Sequence, residues 1–167
     1  MAQPDDAITS ANAGNDEAIV CTKKLRVLFI CTHNSARSQM AEGYIRAHYS
    51  DLFDAGSAGT EVREVNQNAV AVMEEIGIDI SKHRSKLIDE FSERGADIVV
   101  TVCDSAHRAC PFFKGAKAVI HAGFPDPSAC GGPGDDCLAQ FRQIRDSIIM
   151  WIDKTLVPEY GQNNHVS

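Results

Sequence analysis

An α/β fold, a single domain with a four-stranded parallel sheet and helices on both faces, is predicted by three features of this sequence. Four short apolar runs have the length and residue types of buried strands: "LRVLFI" (25–30), "FDAGSAGT" (53–60), "ADIVVTVCD" (96–104) and "AKAVIHAGF" (116–124). Segments with helical spacing separate them, so successive strands return parallel to one another through crossovers. With 167 residues, 44% hydrophobic and 23% charged, the chain fills one ordinary core and is short for two.

The first stretch, "MAQPDDAITSANAGNDEAIV", contains Asp5, Asp6, Asp16 and Glu17 but no Lys or Arg. Residues 1–22 are therefore expected to be a disordered acidic tail, 23–160 the domain, and 161–167 a flexible C-terminal tail. The start lacks a basic region followed by an apolar one, and no apolar run reaches membrane-spanning length. A cytoplasmic protein without a membrane partner is expected. Those four acids supply more than half of the net charge of −7. The remainder is mildly acidic and shows no basic stripe, which sets aside a nucleic-acid binder.

After the first run, Met40, Ala41, Tyr44, Ile45 and His48 recur at three- and four-residue steps and make one helical face. "NQNAVAVMEEIG" (66–77) reads as a helix that Gly77 terminates, and "SKHRSKLIDEFSERG" as another short one ending near Gly95. "PDPSACGGPGDD" is a loop by its Gly, Pro and Asp content. From Cys137 onward, Leu138, Phe141, Ile144, Ile148, Ile152 and Leu156 describe a long amphipathic helix that Pro158 is expected to stop. Residues 31–38, 103–104 and 124–127 each follow a predicted strand, so they should meet at one edge of the sheet.

The first of these segments, "CTHNSARS" (31–38), puts a cysteine at a strand end and an arginine six residues later, with only small or polar residues between. Unpaired N–H groups of the following helix favour an anion in such a loop and lower the pKa of a thiol there. Cys31 is the expected nucleophile. Arg37 presents a planar fork to a tetrahedral oxyanion, Ser38 has a hydroxyl for the thiolate, and Asn34 can lock the loop. Loop residues Thr32, His33, Asn34, Ser35, Ala36 and Arg37 make up the expected substrate cradle. Expulsion of an oxygen leaving group needs a proton, and Asp126, stiffened between Pro125 and Pro127 after the fourth strand, is the expected acid.

"VLFICTHNSARSQMAEGY" resembles the phosphate-loop signature shared by low-molecular-weight protein tyrosine phosphatases and the thioredoxin-coupled arsenate reductases similar to them. The likeness continues through "SAGT" (57–60), "GIDIS" (77–81), "DIVVTVCD" (97–104) and "GFPDP" (123–127), covering roughly residues 25–155. It implies a low-molecular-weight phosphotyrosine phosphatase-like fold and matches Asp126 to the family's general acid. It also matches Cys103 and Cys110 to the second and third cysteines of the arsenate reductases. On that resemblance the expected reaction is reduction of arsenate to arsenite by a three-cysteine relay, with thioredoxin as the electron donor and no cofactor. If residues 103–110 formed one helix, the two cysteines would lie about 10 Å apart along its axis. A disulfide tolerates roughly 4.4–6.8 Å between Cα atoms, so this segment must change shape when oxidised.

The other thiols, Cys21, Cys130 and Cys137, read as incidental, with a regulatory disulfide as the minor alternative. No C-x-x-C pair and no ligand spacing among the histidines point to a metal. Some arsenate reductases of the class fix the anion loop with potassium. Asn34, Glu42 and Ser57 match its ligands, but Arg84 and Lys86 replace ligand oxygens, and the Lys86 ammonium is expected to stand in for the cation. Two other readings stay open: a phosphatase with a redox-protected nucleophile, and an oxyanion or redox sensor.

Overall fold

The computed structural model describes residues 23–109, 113, 115–130 and 135–164. Four parallel strands, β1 (Leu25–Cys31), β2 (Phe53–Gly59), β3 (Ile98–Thr101) and β4 (Ala118–His121), form one sheet in the order β2-β1-β3-β4. Val27 through Cys31 are all buried, as a central strand covered on both faces requires. The chain leaves β1 toward one side for β2 and crosses to the other side for β3. The loops after β1 and β3 therefore diverge at the switch point, where a parallel sheet opens a crevice. Cys31 ends β1, and Cys103 lies two residues beyond β3.

The helix after the anion loop, α1 (Arg37–His48), buries Met40, Ala41, Tyr44 and Ile45. It lies close against the segment around Ile80. A Cβ on Gly43 would sit 2.6 Å from Ile80 Cγ2. Helix α2 (Gln67–Glu74) starts where Asn66 accepts a hydrogen bond from the Asn68 N–H, and Gly77, at φ +82°, turns the chain away beyond it.

The short helix expected within 81–95, ending near Gly95, is a single 3₁₀ turn, Ile88–Phe91. The preceding residues are committed elsewhere. The Gly59 N–H donates to the Lys86 carbonyl, and the Lys86 N–H donates to Asn34 Oδ1 at 2.9 Å. Backbone groups used in this way cannot also close helical turns.

Helix α3 (Asp104–Ala109) follows β3, and α4 (Asp135–Trp151) packs on α1 and α2. Phe141, Ile144, Ile148, Ile152 and Leu156 are buried along the predicted stripe. Pro158 does not stop this helix. A π-helical turn, Ile152–Leu156, widens it first, with the Val157 N–H reaching back to the Ile152 carbonyl. Pro158 then occupies the first turn of α5 (Val157–Tyr160), where a missing N–H costs no helical bond. Asp153 of the π turn accepts from the Tyr44 hydroxyl at 2.9 Å and the Tyr49 hydroxyl at 2.7 Å. Where a flexible tail was expected from 161, Gly161–Asn164 makes one more 3₁₀ turn, and Gly161 is buried.

Candidate active site

The loop from Thr32 to Ala36 wraps the start of α1. Asn34, fully buried, adopts φ +52°, a left-handed conformation that Asn tolerates better than most residues. Its side chain secures the loop on three sides. It donates to Ser38 Oγ at 2.8 Å and accepts from Gln39 Nε2 and the Lys86 N–H, each at 2.9 Å. Its carbonyl accepts from Ser85 Oγ at 2.7 Å. Gly59 passes so close that a Cβ there would lie 2.7 Å from the Thr32 carbonyl oxygen and 2.9 Å from the Asn34 nitrogen.

Cys31, at the end of β1, and Cys103, in the loop after β3, are both buried, and hydrogen bonding between the two sulfurs shifts the pKa of each. That bond is the largest influence on either thiol. It pulls Cys103 down to about 5, aided by donation from Thr32 and from the Ala106 N–H. It holds Cys31 up, together with burial. Arg37 favours negative charge on both sulfurs, and the His33 N–H favours it on Cys31. Of the two, Cys103 is the thiol favoured as thiolate and Cys31 the one favoured with its proton. Cys103 Sγ lies 3.2 Å from Thr32 Oγ1 and accepts the Ala106 N–H at 3.4 Å, which makes it the side-chain cap of α3.

Arg37 is buried against this pair. Its Nη1 donates to the Phe124 carbonyl at 2.8 Å, and Nη2 lies 3.8 Å from Asp126 Oδ2. Its Nε is buried with no hydrogen-bond partner, an orphaned donor of the kind an oxyanion satisfies. Asp126 is about half exposed, with side-chain accessibility of 48%. Arg37, Asp126, Thr32, His33 and Cys103 line one cleft of about 560 Å³. Across it, His121 Nε2 meets Asp104 Oδ1 at 2.9 Å, joining β4 to the start of α3. The His33 ring turns aside to Glu61, at 3.3 Å.

Behind the loop, Glu42 is buried with Ser57 Oγ donating to it at 2.5 Å. Lys86 Nζ stands 3.5 Å from the same carboxylate and donates to the Arg84 carbonyl at 3.0 Å, while Arg46 Nε lies 3.2 Å away. Two cationic side chains already neutralise this carboxylate, so the donor set does not fit a potassium ion. Lys86 reaches Asn34 through its backbone N–H and not through its ammonium.

Cys130 and Cys137 are not incidental: they form a disulfide with Cα atoms 5.6 Å apart. Cys21 and Cys110 lie outside the described residues. Sequence reasoning missed Gln39, His83 and Ser85. Gln39 is fully buried, donates to Asn34 and to the Arg84 carbonyl, and pairs with His83 Nδ1 at 3.0 Å. Its one signal was a polar residue on a helix start, too common to single out.

Residues 26–154 match the family model described as low molecular weight phosphotyrosine protein phosphatase. An arsenate reductase of Halalkalibacterium halodurans is 46% identical over 122 residues, 73% of this chain and 88% of that protein. An arsenate reductase of Bacillus subtilis is 42% identical over the same shares, 73% and 88%. Among solved structures, an arsenate reductase in the phosphate-binding state aligns with a TM-score of 0.67 at 29% identity, over 83% of this chain and 99% of that one. A low-molecular-weight protein tyrosine phosphatase from T. tengcongensis aligns at 0.69 with 31% identity, over 81% and 99%. The matched span runs from β1 into the π turn and takes in the thiol loop, the arginine and the acid loop, so the chain belongs to the low-molecular-weight phosphotyrosine protein phosphatase family.

Proposed function

We propose that this protein reduces arsenate to arsenite, passing the oxidation along Cys31, Cys103 and Cys110 to thioredoxin. The observation that carries the reading is the placement of two free, buried thiols, Cys31 at the end of β1 and Cys103 in the same cleft as the buried guanidinium of Arg37. Hydrolysis needs one thiol at that place; reduction needs two within reach of each other. The similar proteins named arsenate reductase support the same choice.

Arsenate sits in the loop formed by Thr32, His33, Asn34, Ser35 and Ala36, with its oxygens on backbone N–H groups and on the Arg37 fork. Cys31 attacks arsenic as its proton passes to Cys103, and Asp126 protonates the departing hydroxyl, which leaves as water. Ser38, held by Asn34, steadies the sulfur. The Asp126 carboxylate left by that step takes the proton back from Cys103 through solvent, and the Cys103 thiolate attacks the sulfur of the Cys31–arsenic adduct. A Cys31–Cys103 disulfide forms, the sulfur–arsenic bond breaks, and its electron pair stays on arsenic as arsenite. Cys110 then attacks Cys103, Cys31 leaves as thiolate, and the Cys103–Cys110 disulfide is reduced by the external dithiol. Asn34, Glu42, Ser57 and Lys86 hold the loop's shape, with the Lys86 ammonium in the cation's role. Dependence on thioredoxin favours a cytoplasmic setting. Among the described residues no helix is long and apolar enough to cross a membrane.

Arsenate-dependent NADPH consumption, measured with thioredoxin and thioredoxin reductase beside aryl phosphate hydrolysis, tests the reading. The parent is expected to consume NADPH, whereas Cys103→Ser and Cys110→Ser lose turnover and keep any hydrolysis. Aryl phosphate hydrolysis without arsenate-dependent NADPH consumption in the parent would establish the second reading, a phosphatase whose Cys103 protects Cys31. That alternative is favoured by the shared loop, arginine and acid.

A further inference from the structure

A second cavity, of about 220 Å³, shares no lining residue with the cleft. It opens where the early residues of β1 and β2 face the segment 82–96. Its charge sets it apart. Arg26, Arg46, Lys82, Arg84, Lys86 and Arg94 line it, six of the chain's sixteen Lys and Arg residues, against the two carboxylates Glu42 and Asp54. Six minus two leaves a local surplus of four positive charges on a chain whose net charge is −7.

The internal ion pairs do not use up this surplus. Glu42 is taken by Arg46 and Lys86, Asp54 lies 4.0 Å from Arg26, and Arg84 pairs with Glu90 at 2.7 Å. Lys82 and Arg94 join no salt bridge among the described residues, and both are exposed at the rim. The Arg94 guanidinium lies 5.6 Å from the centre of the Phe91 ring. That ring forms an apolar wall, backed so closely by Gly56 that a Cβ there would stand 3.0 Å from it. Converging cations beside an aromatic surface suit a small ring-bearing oxyanion, its charge met by Lys82 and Arg94 and its body packed on Phe91.

We infer that this cavity is a second anion site, separate from the thiol cleft, that takes a small ring-bearing phosphate or sulfonate. Because its lining includes Glu42 and Lys86, an anion bound there competes with Glu42 for the same ammonium whose backbone steadies Asn34. Occupancy would thereby be communicated to the anion loop.

Naphthalene-1,5-disulfonate is a suitable probe because it has no phosphoryl group to transfer. Calorimetric titration of the full chain is expected to give saturable binding in the parent and in Arg37→Ala, which cripples the cleft. Lys82→Ala with Arg94→Ala should weaken binding by at least about tenfold, and Lys82→Arg with Arg94→Lys should preserve it. Both pairs are surface changes, and thermal melting shows whether each variant is folded. No saturable binding in the parent overturns the inference. So does binding that Arg37→Ala abolishes, or that the double alanine variant leaves unchanged.

Discussion

At the scale of single residues, the decisive feature is the proton shared between Cys31 and Cys103. Because Cys103 is pulled down to about 5 while Cys31 is held up, one thiolate is expected across the neutral range, lost as the pH falls through about 5. Absorbance at 240 nm should show one thiolate appearing with a midpoint near 5, well below the ordinary thiol value of about 8.5. Alkylation by iodoacetamide should follow the same curve. A midpoint at the ordinary value contradicts the coupled pair. Asp126→Asn keeps the shape of the acid loop and removes its proton, so turnover with arsenate should fall about 10²–10⁴-fold while the thiolate titration stays in place. Asn34 invites a comparison of two variants. Both Asn34→Ala and Asn34→Gly lose the side-chain bonds, but only Gly accepts φ +52° without strain. Denaturant unfolding should find the alanine variant less stable by about 1 kcal/mol. Since Lys86 already neutralises Glu42, the melting temperature should be the same in potassium chloride as in sodium chloride at equal ionic strength. A rise specific to potassium removes the ammonium from that role.

At the scale of elements, the proposed relay requires α3 to yield. Six helical residues, Asp104–Ala109, follow Cys103, and a disulfide joining positions 103 and 110 could not span them while they stay helical. Hydrogen exchange of the amides in 104–109 is expected to be faster in the oxidised protein than in the reduced one. Equal rates in the two states would exclude the rearrangement. The elements also show what was legible in the sequence. The order of strand, loop and helix around Cys31 could be read because its cause is local: an aliphatic run, then small residues, then an apolar helical face. The stretch 81–87 could not, because its hydrogen bonds go to Asn34 and Gly59, partners far away in the chain. Helical spacing was present there and was outcompeted. Pro158 misled for the opposite reason: its missing N–H is real, but the π turn ahead of it leaves no helical bond to lose.

At the scale of the whole molecule, the sheet order brings together what the sequence separates. Cys31, Cys103 and Asp126 span almost a hundred positions, yet each lies at or beyond the end of a strand, and a parallel sheet delivers such residues to one end. That convergence was legible from strand count alone. The concentration of positive charge around the second cavity was not, because its six cations are scattered through the chain and the net charge has the other sign.

In the proposed relay the sulfur of Cys103 has two duties at once, as electron donor and as the group that closes the first turn of α3. Once it is bonded to Cys31, it can no longer carry the negative charge that made it a good acceptor for the Ala106 N–H. The proposed chemistry in the crevice would thereby loosen the scaffold beside it in the same event, with no separate trigger.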